Sequence, residues 1–478
     1  MRRIAFVAAI GLLGLAAGCA VGPDYRRPAV DVPDAFRFSE GEARDAANAA
    51  WWKHFGDPVL DGLVDNALAG NKDVRIAAAN VEQAAAVLTQ TRAPLFPQAG
   101  YGAEASRNRA SESGSPLLYG YVKNPSTDLS VFGSASWEID LWGRVRRLSE
   151  ASRSELLATE EAHRGVILSL VSSVASGYLQ LRGLDEQLSI ARRTLATYGE
   201  SVRLFELQHK YGQVSRMTVE QARTRYETAA AAIPGIEAQI AQTEIALSLL
   251  LGRNPGPIPR GRPLSEIALP AVPAAIPSQV LERRPDIARS EQELVAANAR
   301  IGAARALYFP SISLTGAFGY ASPELSDLFK GPSRTWSYGG SITGPIFTAG
   351  AISGQVRQAE AARKAALLSY ESSIQSAFAE VEDALVSRVK TDEQVKAQER
   401  LVNAAREYAR LAQMQYDGGY APYMTVIQAQ EQLFPAELDY ARYRASLLSS
   451  FVAIYKALGG GWPGEVDRPA GPAAPQAK

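Results

Sequence analysis

Two periodicities alternate along this chain. From Val145 to Tyr211 and from Ala351 to Tyr416 the sequence runs without proline, and apolar residues recur at helical spacing. In the first run Leu184, Leu188, Ala191, Leu195, Tyr198, Val202 and Phe205 step by four and three. Ile167, Val171, Val174, Tyr178 and Leu181 do the same upstream, and the two series join through a second step of three, which shifts the seam. This predicts a coiled coil whose winding changes along its length. Its 67 residues would make about 100 Å of helix. Heptads alone describe a structural coiled coil and nothing more. Shorter helices are expected at Asp73–Ala93, Val214–Leu251, Asp286–Leu307 and Pro422–Leu458, with Pro97 and Pro310 blocking continuation of the first and third.

The other periodicity is two. In Ser311–Tyr320, Ile312, Leu314, Phe318 and Tyr320 alternate with Ser313, Thr315, Ala317 and Gly319. Leu129, Val131, Ala135, Trp137 and Ile139 alternate with Asp128, Ser130, Ser134, Ser136 and Glu138, and Trp336–Thr343 alternates likewise. These predict β-hairpins at about 98–140 and 311–347.

The same order of elements is written twice. Met217-Thr218-Val219-Glu220-Gln221-Ala222 recurs as Met424-Thr425-Val426-Ile427-Gln428-Ala429, a shift of 207 that also maps Gly143 onto Gly350 and Gly212 onto Gly419. Arg92–Pro97 matches Arg305–Pro310 at 213, so the first hairpin carries the longer loop. The expected organisation is a segment 19–60, a first repeat 61–252, a proline-rich linker 253–285, a second repeat 286–462 and a disordered tail 463–478. The linker holds eight prolines and reads as a connector without elements.

Residues 1–18 read as a secretory signal peptide: Met1-Arg2-Arg3, then an apolar run from Ile4 to Ala17 that is too short to span a bilayer. The chain's single cysteine stands where that segment would be cleaved. Ala16-Ala17-Gly18-Cys19 resembles the bacterial lipobox, with Ala16 where leucine is usual and Leu15 one place early. The resemblance implies S-diacylglycerol and N-palmitoyl chains on Cys19, and two or more chains give stable anchoring. Ala20, in place of aspartate, implies sorting to the outer membrane.

Composition narrows the function. Fifty basic residues balance fifty acidic ones, which excludes nucleic-acid binding through bulk charge. One cysteine and three histidines leave little for metal or acid–base chemistry. No P-loop, G-x-S-x-G or metal-binding histidine spacing occurs, so an enzyme is not expected and no cofactor besides the covalent lipid.

Taken together, the elements force an assembly. Strands of about ten alternating residues match outer-membrane barrel strands. Four of them cannot close, since the smallest such barrels have eight, and open edges in lipid leave backbone groups unpaired. Three copies give twelve strands. A soluble β-sandwich layer would explain neither the anchor nor the length of the helices.

The chain resembles the TolC/OprM family of outer-membrane efflux proteins, in its NodT-like lipoprotein branch. The resemblance lies in Cys19–Tyr25, Trp51–Pro58, Glu282–Ile287, Tyr308-Phe309-Pro310 and Gly344–Phe347, and extends from Cys19 to about Trp462. It implies a mainly α fold with a transmembrane β part: a homotrimer with a 12-stranded β-barrel, four strands per chain, continued by a long α-helical coiled-coil barrel. It also implies a passive, gated exit duct for small molecules such as drugs. The partners would be a periplasmic adaptor protein and an inner-membrane transporter of RND or major-facilitator type.

Site residues follow from the same resemblance. The hairpin tips are expected to dock the adaptor, through Gly212, Val214, Ser215, Gly419 and Ala421. Met424, Gln428 and Glu431 share a helix face, and family members narrow the periplasmic end there with leucine, aspartate and arginine. Gln428 would make a neutral ring, so an acidic ring comes from Glu431 or is absent. An ordinary helix surface is the competing reading. Trp51, Trp52 and Asp57 read as structural, with Asp57-Pro58 as a helix cap and first residue. Asp128, Glu138 and Asp140 are candidates for the lumen, Glu138 and Asp140 equally for the strand ends. A type I protein-secretion duct and a pore-less spanning lipoprotein stand as alternatives, the latter disfavoured by the alternating strands.

Overall fold

The computed structural model describes residues 20–30, 36, 50–111, 124–270 and 277–460. The expected signal peptide at 1–18, Cys19 and the tail expected at 463–478 lie outside the described residues. Asp57 opens the first α-helix, α1 (Pro58–Gly70): its side chain accepts from the Val59 N–H at 2.9 Å, and Pro58 takes the first helical position, where a missing N–H costs nothing. The first copy continues with α2 (Lys72–Arg92), β1 (Gln98–Asn108), β2 (Ser126–Ile139), α3 (Arg144–Lys210) and α4 (Arg216–Leu250). The second has α5 (Pro277–Arg283), α6 (Pro285–Ala306), β3 (Ser311–Ser322), β4 (Arg334–Thr343), α7 (Ala351–Asp417) and α8 (Tyr423–Ala457). The duplication shows in lengths: α3 and α7 each have 67 residues, α4 and α8 each have 35. No helix among the described residues is long and apolar enough to cross a membrane.

The stretch 253–285 is not an empty connector. It contains α5 and a 3-10 turn at Leu264–Glu266. Pro277 and Pro285 begin α5 and α6, since proline's fixed φ suits the first helical position.

By packing, the chain forms two compact units that cut across the two sequence copies. One comprises the described residues within Met1–Ala29, Asn80–Thr159 and Arg289–Tyr370, the other those within Val30–Ala79, Glu160–Ala288 and Glu371–Lys478. The first unit shows why the repeats are not its units. Its antiparallel sheet has the order β1-β2-β3-β4, so β2 of the first copy pairs with β3 of the second. The register aligns one face of Tyr101, Val131, Trp137, Leu314, Phe318, Trp336 and Tyr338. The opposite face is built largely of serine, threonine and glycine. Strands β1 and β4 each have one neighbour among the described residues. Beside the sheet, Ala151, Ala296 and Ala299 make a core of small side chains that lets α3 and α6 approach closely. The segment after Cys19 is docked here. The Val21 N–H donates to Trp142 O at 3.1 Å, Arg147 pairs with Asp24 at 2.7 Å, and Tyr25 donates to Glu291 at 3.1 Å.

Asp140 and Glu138 are tied to helix α3. Asp140 accepts from the Val145 and Arg146 N–H groups at 3.0 and 2.8 Å, and its side chain is 9% exposed. It therefore caps α3, satisfying donors that the first helical turn leaves free. Glu138 pairs with Arg144 at 2.9 Å. Asp128 alone of the three stays exposed on the polar face.

The second unit holds the main core. Trp51, Trp52 and Phe55 pack with α1, with Val171, Val174, Tyr178 and Leu181 of α3, and with Phe451 and Tyr455 of α8. Trp51 stacks on Tyr455 at 5.2 Å. Asp57 is fully buried, and besides capping α1 it accepts from the Tyr178 hydroxyl at 2.7 Å and the Arg262 N–H at 3.0 Å. The Gly261 N–H in turn donates to the Tyr178 oxygen at 2.9 Å. The heptad residues of α3 are all buried or half-buried.

Candidate functional site

Helices α3 and α7 end in the same motif. The Gln213 N–H donates to Gln208 O at 2.9 Å and the Tyr420 N–H to Gln415 O at 2.8 Å. Gly212 and Gly419 sit at φ +77° and +74°, the left-handed closing conformation that side chains resist. The return helices start differently. Ser215 caps α4, accepting from the Thr218 N–H at 3.3 Å, whereas Pro422 precedes α8 with no side-chain cap. Gly212, Ser215 and Gly419 are exposed; Val214 and Ala421 are half-buried. Val214 packs against the cluster of Phe205, Val219 and Ala222, and its carbonyl accepts from His209 Nδ1 at 2.9 Å. It thus serves the packing of its own hairpin.

The duplicated tips have duplicated cores. Phe205, Val219 and Ala222 in the first correspond, at the shift of 207, to Ala412, Val426 and Ala429 in the second. Tyr416 and Tyr423 pack against both clusters, with Tyr423 4.2 Å from the Phe205 ring and 5.2 Å from Tyr416. The two hairpins are therefore joined by aromatic contact.

With Val426 and Ala429 buried, Met424, Gln428 and Glu431 fall on the exposed side of α8. They run along one face as an apolar, a neutral polar and an acidic side chain. Glu431 is not free. Its Oε1 lies 3.3 Å from Nη2 of Arg225, a buried side chain of α4. Arg225 also donates to Gln430 Oε1 at 3.0 Å and to the Ile427 carbonyl, and lies 5.7 Å from the Tyr198 ring. Burial pushes the Tyr198 hydroxyl up, so it keeps its proton and donates to Gln430 O at 3.4 Å. Arg225 and Tyr198 thus clasp the 427–431 segment of α8.

Sequence reasoning missed Arg225, although a signal was present. Val219, Ala222 and Arg225 are spaced by three, which puts a charge on the apolar stripe of α4. A charge there demands a partner. The tip and the 424–431 face present apolar bulk, a neutral amide, a hydroxyl and a carboxylate, groups suited to non-covalent contact.

One apolar and one polar sheet face, together with paired helical hairpins that share a tip motif, define a membrane channel protein of the outer-membrane type. A model of the outer membrane efflux protein family matches residues 63–253 and 276–460, and the chain belongs to that family. It is 38% identical over 460 residues to the toluene efflux pump outer membrane protein TtgF of Pseudomonas putida, covering 93% of this chain and 94% of that one. It is 38% identical over 459 residues to the cation efflux system protein CusC of Escherichia coli, covering 93% and 96%. The crystal structure of the Campylobacter jejuni CmeC outer membrane channel superposes with a TM-score of 0.88 at 28% identity, covering 94% of this chain and 96% of that one. The chain is an outer-membrane efflux duct with the mainly helical TolC-like fold.

Proposed function

We propose that this chain works as a homotrimer anchored by lipid on Cys19. In this reading it forms the exit of a tripartite pump that carries small molecules outward. The observation that carries this reading is the open sheet, with an apolar face, a polar face and, among the described residues, one side of β1 and one of β4 without a neighbouring strand. Three such sheets joined edge to edge make a closed barrel of twelve strands with lipid outside and water inside. The energy comes from an inner-membrane transporter of RND or major-facilitator type, and a periplasmic adaptor joins the two at the hairpin tips, through Gly212, Ser215, Gly419 and Ala421. The exposed tip glycines and Ser215 support that contact. Met424, Gln428 and Glu431 form the periplasmic gate, with Arg225 as its brace. The duct does no chemistry of its own. Support for the lipid anchor comes from Ala20, the residue after Cys19. It is held against Gly143 just beyond the end of β2, so closely that a β-carbon on Gly143 would come within 2.8 Å of the Ala20 β-carbon.

Relatives bearing the names toluene efflux and cation efflux support small solutes as cargo. The test is deletion of the gene in its host, with complementation. Deletion should raise the accumulation of a fluorescent lipophilic dye, and the wild-type chain should restore export. A photo-crosslinker at Ser215 should capture the adaptor. Unchanged accumulation, together with unchanged sensitivity to solvents, drugs and metal cations, overturns the efflux reading.

A further inference from the structure

Among the described residues, Phe132 is the one large apolar side chain on the polar face of the sheet. Along β2 it shares that face with Asp128, Ser130, Ser134 and Ser136. The remaining positions of the face, on all four strands, carry serine, threonine, glycine, alanine, an amide or a carboxylate. Phe132 is also placed between glycines: Gly102 of β1 on one side and Gly319 of β3 on the other.

Both glycines are required by the ring and its strand. A β-carbon on Gly102 would come within 2.7 Å of Phe132 Cζ, so the ring leans across β1. A β-carbon on Gly319 would come within 2.7 Å of the Phe132 α- and β-carbons and 2.2 Å of the Val131 carbonyl oxygen. Even so, 38% of Phe132 remains exposed. A ring lying over a glycine bed shields one face and leaves the other open. Covering glycine with an aromatic neighbour also steadies a sheet. Yet that function would be met equally from the apolar face, where the ring would lose contact with water altogether.

We propose that Phe132 is a contact station for aromatic or apolar cargo inside the β part of the duct, and so a determinant of which solutes linger there. The proposal rests on the reading of the sheet as one third of a barrel with its polar face inward. In the trimer three open phenyl faces would stand at one level in a lumen of hydroxyl groups and backbone. An aromatic face attracts other rings by offset stacking and attracts cations through its quadrupole. A hydroxyl-lined wall offers such solutes nothing comparable.

The experiment uses lipidated wild-type trimers in planar bilayers, with benzyltrimethylammonium and butyltrimethylammonium added on the side of the β part. The aromatic cation should block current at lower concentration than the aliphatic one, by roughly two- to tenfold. Phe132→Ser should abolish that preference and Phe132→Tyr should keep it. If the serine variant does not assemble, Phe132→Leu keeps most of the bulk without the ring and should still lose the preference. A merely structural role for the ring would lower the heat resistance of the trimer and leave the ratio of the two blockers unchanged. Equal block in the wild type, or a preference that survives Phe132→Ser or Phe132→Leu, overturns the station. Absence of any conductance from assembled wild-type trimers strikes at the duct reading itself, and the station falls with it. Placement is tested separately by cysteine labelling. A membrane-impermeant maleimide should reach Phe132→Cys and not Val131→Cys, and the reverse pattern overturns the proposal.

Discussion

Arg225 on α4 holds Glu431 on α8 at 3.3 Å and, with the same guanidinium, reaches the Ile427 carbonyl and the Gln430 side chain. The parts of this clasp differ in worth. Glu431 is 63% exposed, so its ion pair contributes at most about 1 kcal/mol. Arg225 is buried, and removing it strands acceptors at a cost of about 1–3 kcal/mol. Arg225→Ala should therefore loosen the 427–431 segment more than Glu431→Gln. Amide exchange across Met424–Gln430 and resting leak in bilayers read this out. Equal responses to the two substitutions would remove Arg225 from the role of brace.

Gln428 is exposed between Met424 and Glu431, and a carboxylate there would add three charges to the proposed gate. Gln428→Asp should make the duct more sensitive to block by divalent cations than the wild type. Met424→Ala should raise the resting conductance by removing bulk without altering charge selectivity. Reversal potentials in asymmetric salt separate these effects. A wild-type gate already blocked by divalents as strongly as Gln428→Asp would contradict the neutral ring.

Asp57 joins α1, the Tyr178 hydroxyl and the Arg262 backbone in one buried knot. Burial and then the hydrogen bond to Asp57 push the Tyr178 hydroxyl well above its ordinary range, so the proton stays on tyrosine. Asp57→Ala leaves three donors without an acceptor. It should cost several kcal/mol, at the high end for single substitutions. Asp57→Asn retains one acceptor and should cost less. Thermal unfolding of the purified protein gives the order, and an alanine variant as stable as the asparagine variant would refute it.

Glu244 offers a dependence on pH. Burial alone would raise its carboxyl, but hydrogen bonds from Arg260 and the Ile258 N–H more than offset this and leave it below its usual value. A carboxyl lowered by folding stabilises the fold above its unfolded pKa, near 4.3. That contribution is lost as pH falls through the depressed value. The 253–262 stretch, clipped by Arg260 to Glu244 and Asp185, should thus become protease-sensitive in acid before the helices unfold. Glu244→Gln should show that sensitivity at neutral pH. Cleavage of this stretch unaffected by either change would count against the clip.

Much of this was legible in the sequence. Leu184 to Phe205 announce the seam of α3, and Asp57-Pro58 announces the start of α1, because local spacing and capping chemistry need no tertiary knowledge. Asp140 was harder to read. Its position at the end of a polar strand face suggested the lumen, and the cap is recognised only once the chain is seen to turn into α3 directly after it. Arg225 was hidden because its partners lie on the other copy, and the shift of 207 maps it onto Gln432, which gives no echo. Phe132 stands in the sequence among the serines of β2. Its meaning depends on Gly102 and Gly319, which only pairing across strands brings to its sides.

Among the described residues β1 and β4 each lack a neighbour on one side, and this has a consequence for inheritance. An unassembled subunit exposes open hydrogen-bonding edges beside Trp336, Tyr338 and Ile342, a surface prone to wrong partnerships. Such a chain cannot be stored as a finished part, and the proposed trimer, once closed in lipid, would not readily exchange a bad member for a good one. A host carrying one sound and one gate-damaged allele would build mostly mixed trimers and keep them. The damaged allele should behave as dominant.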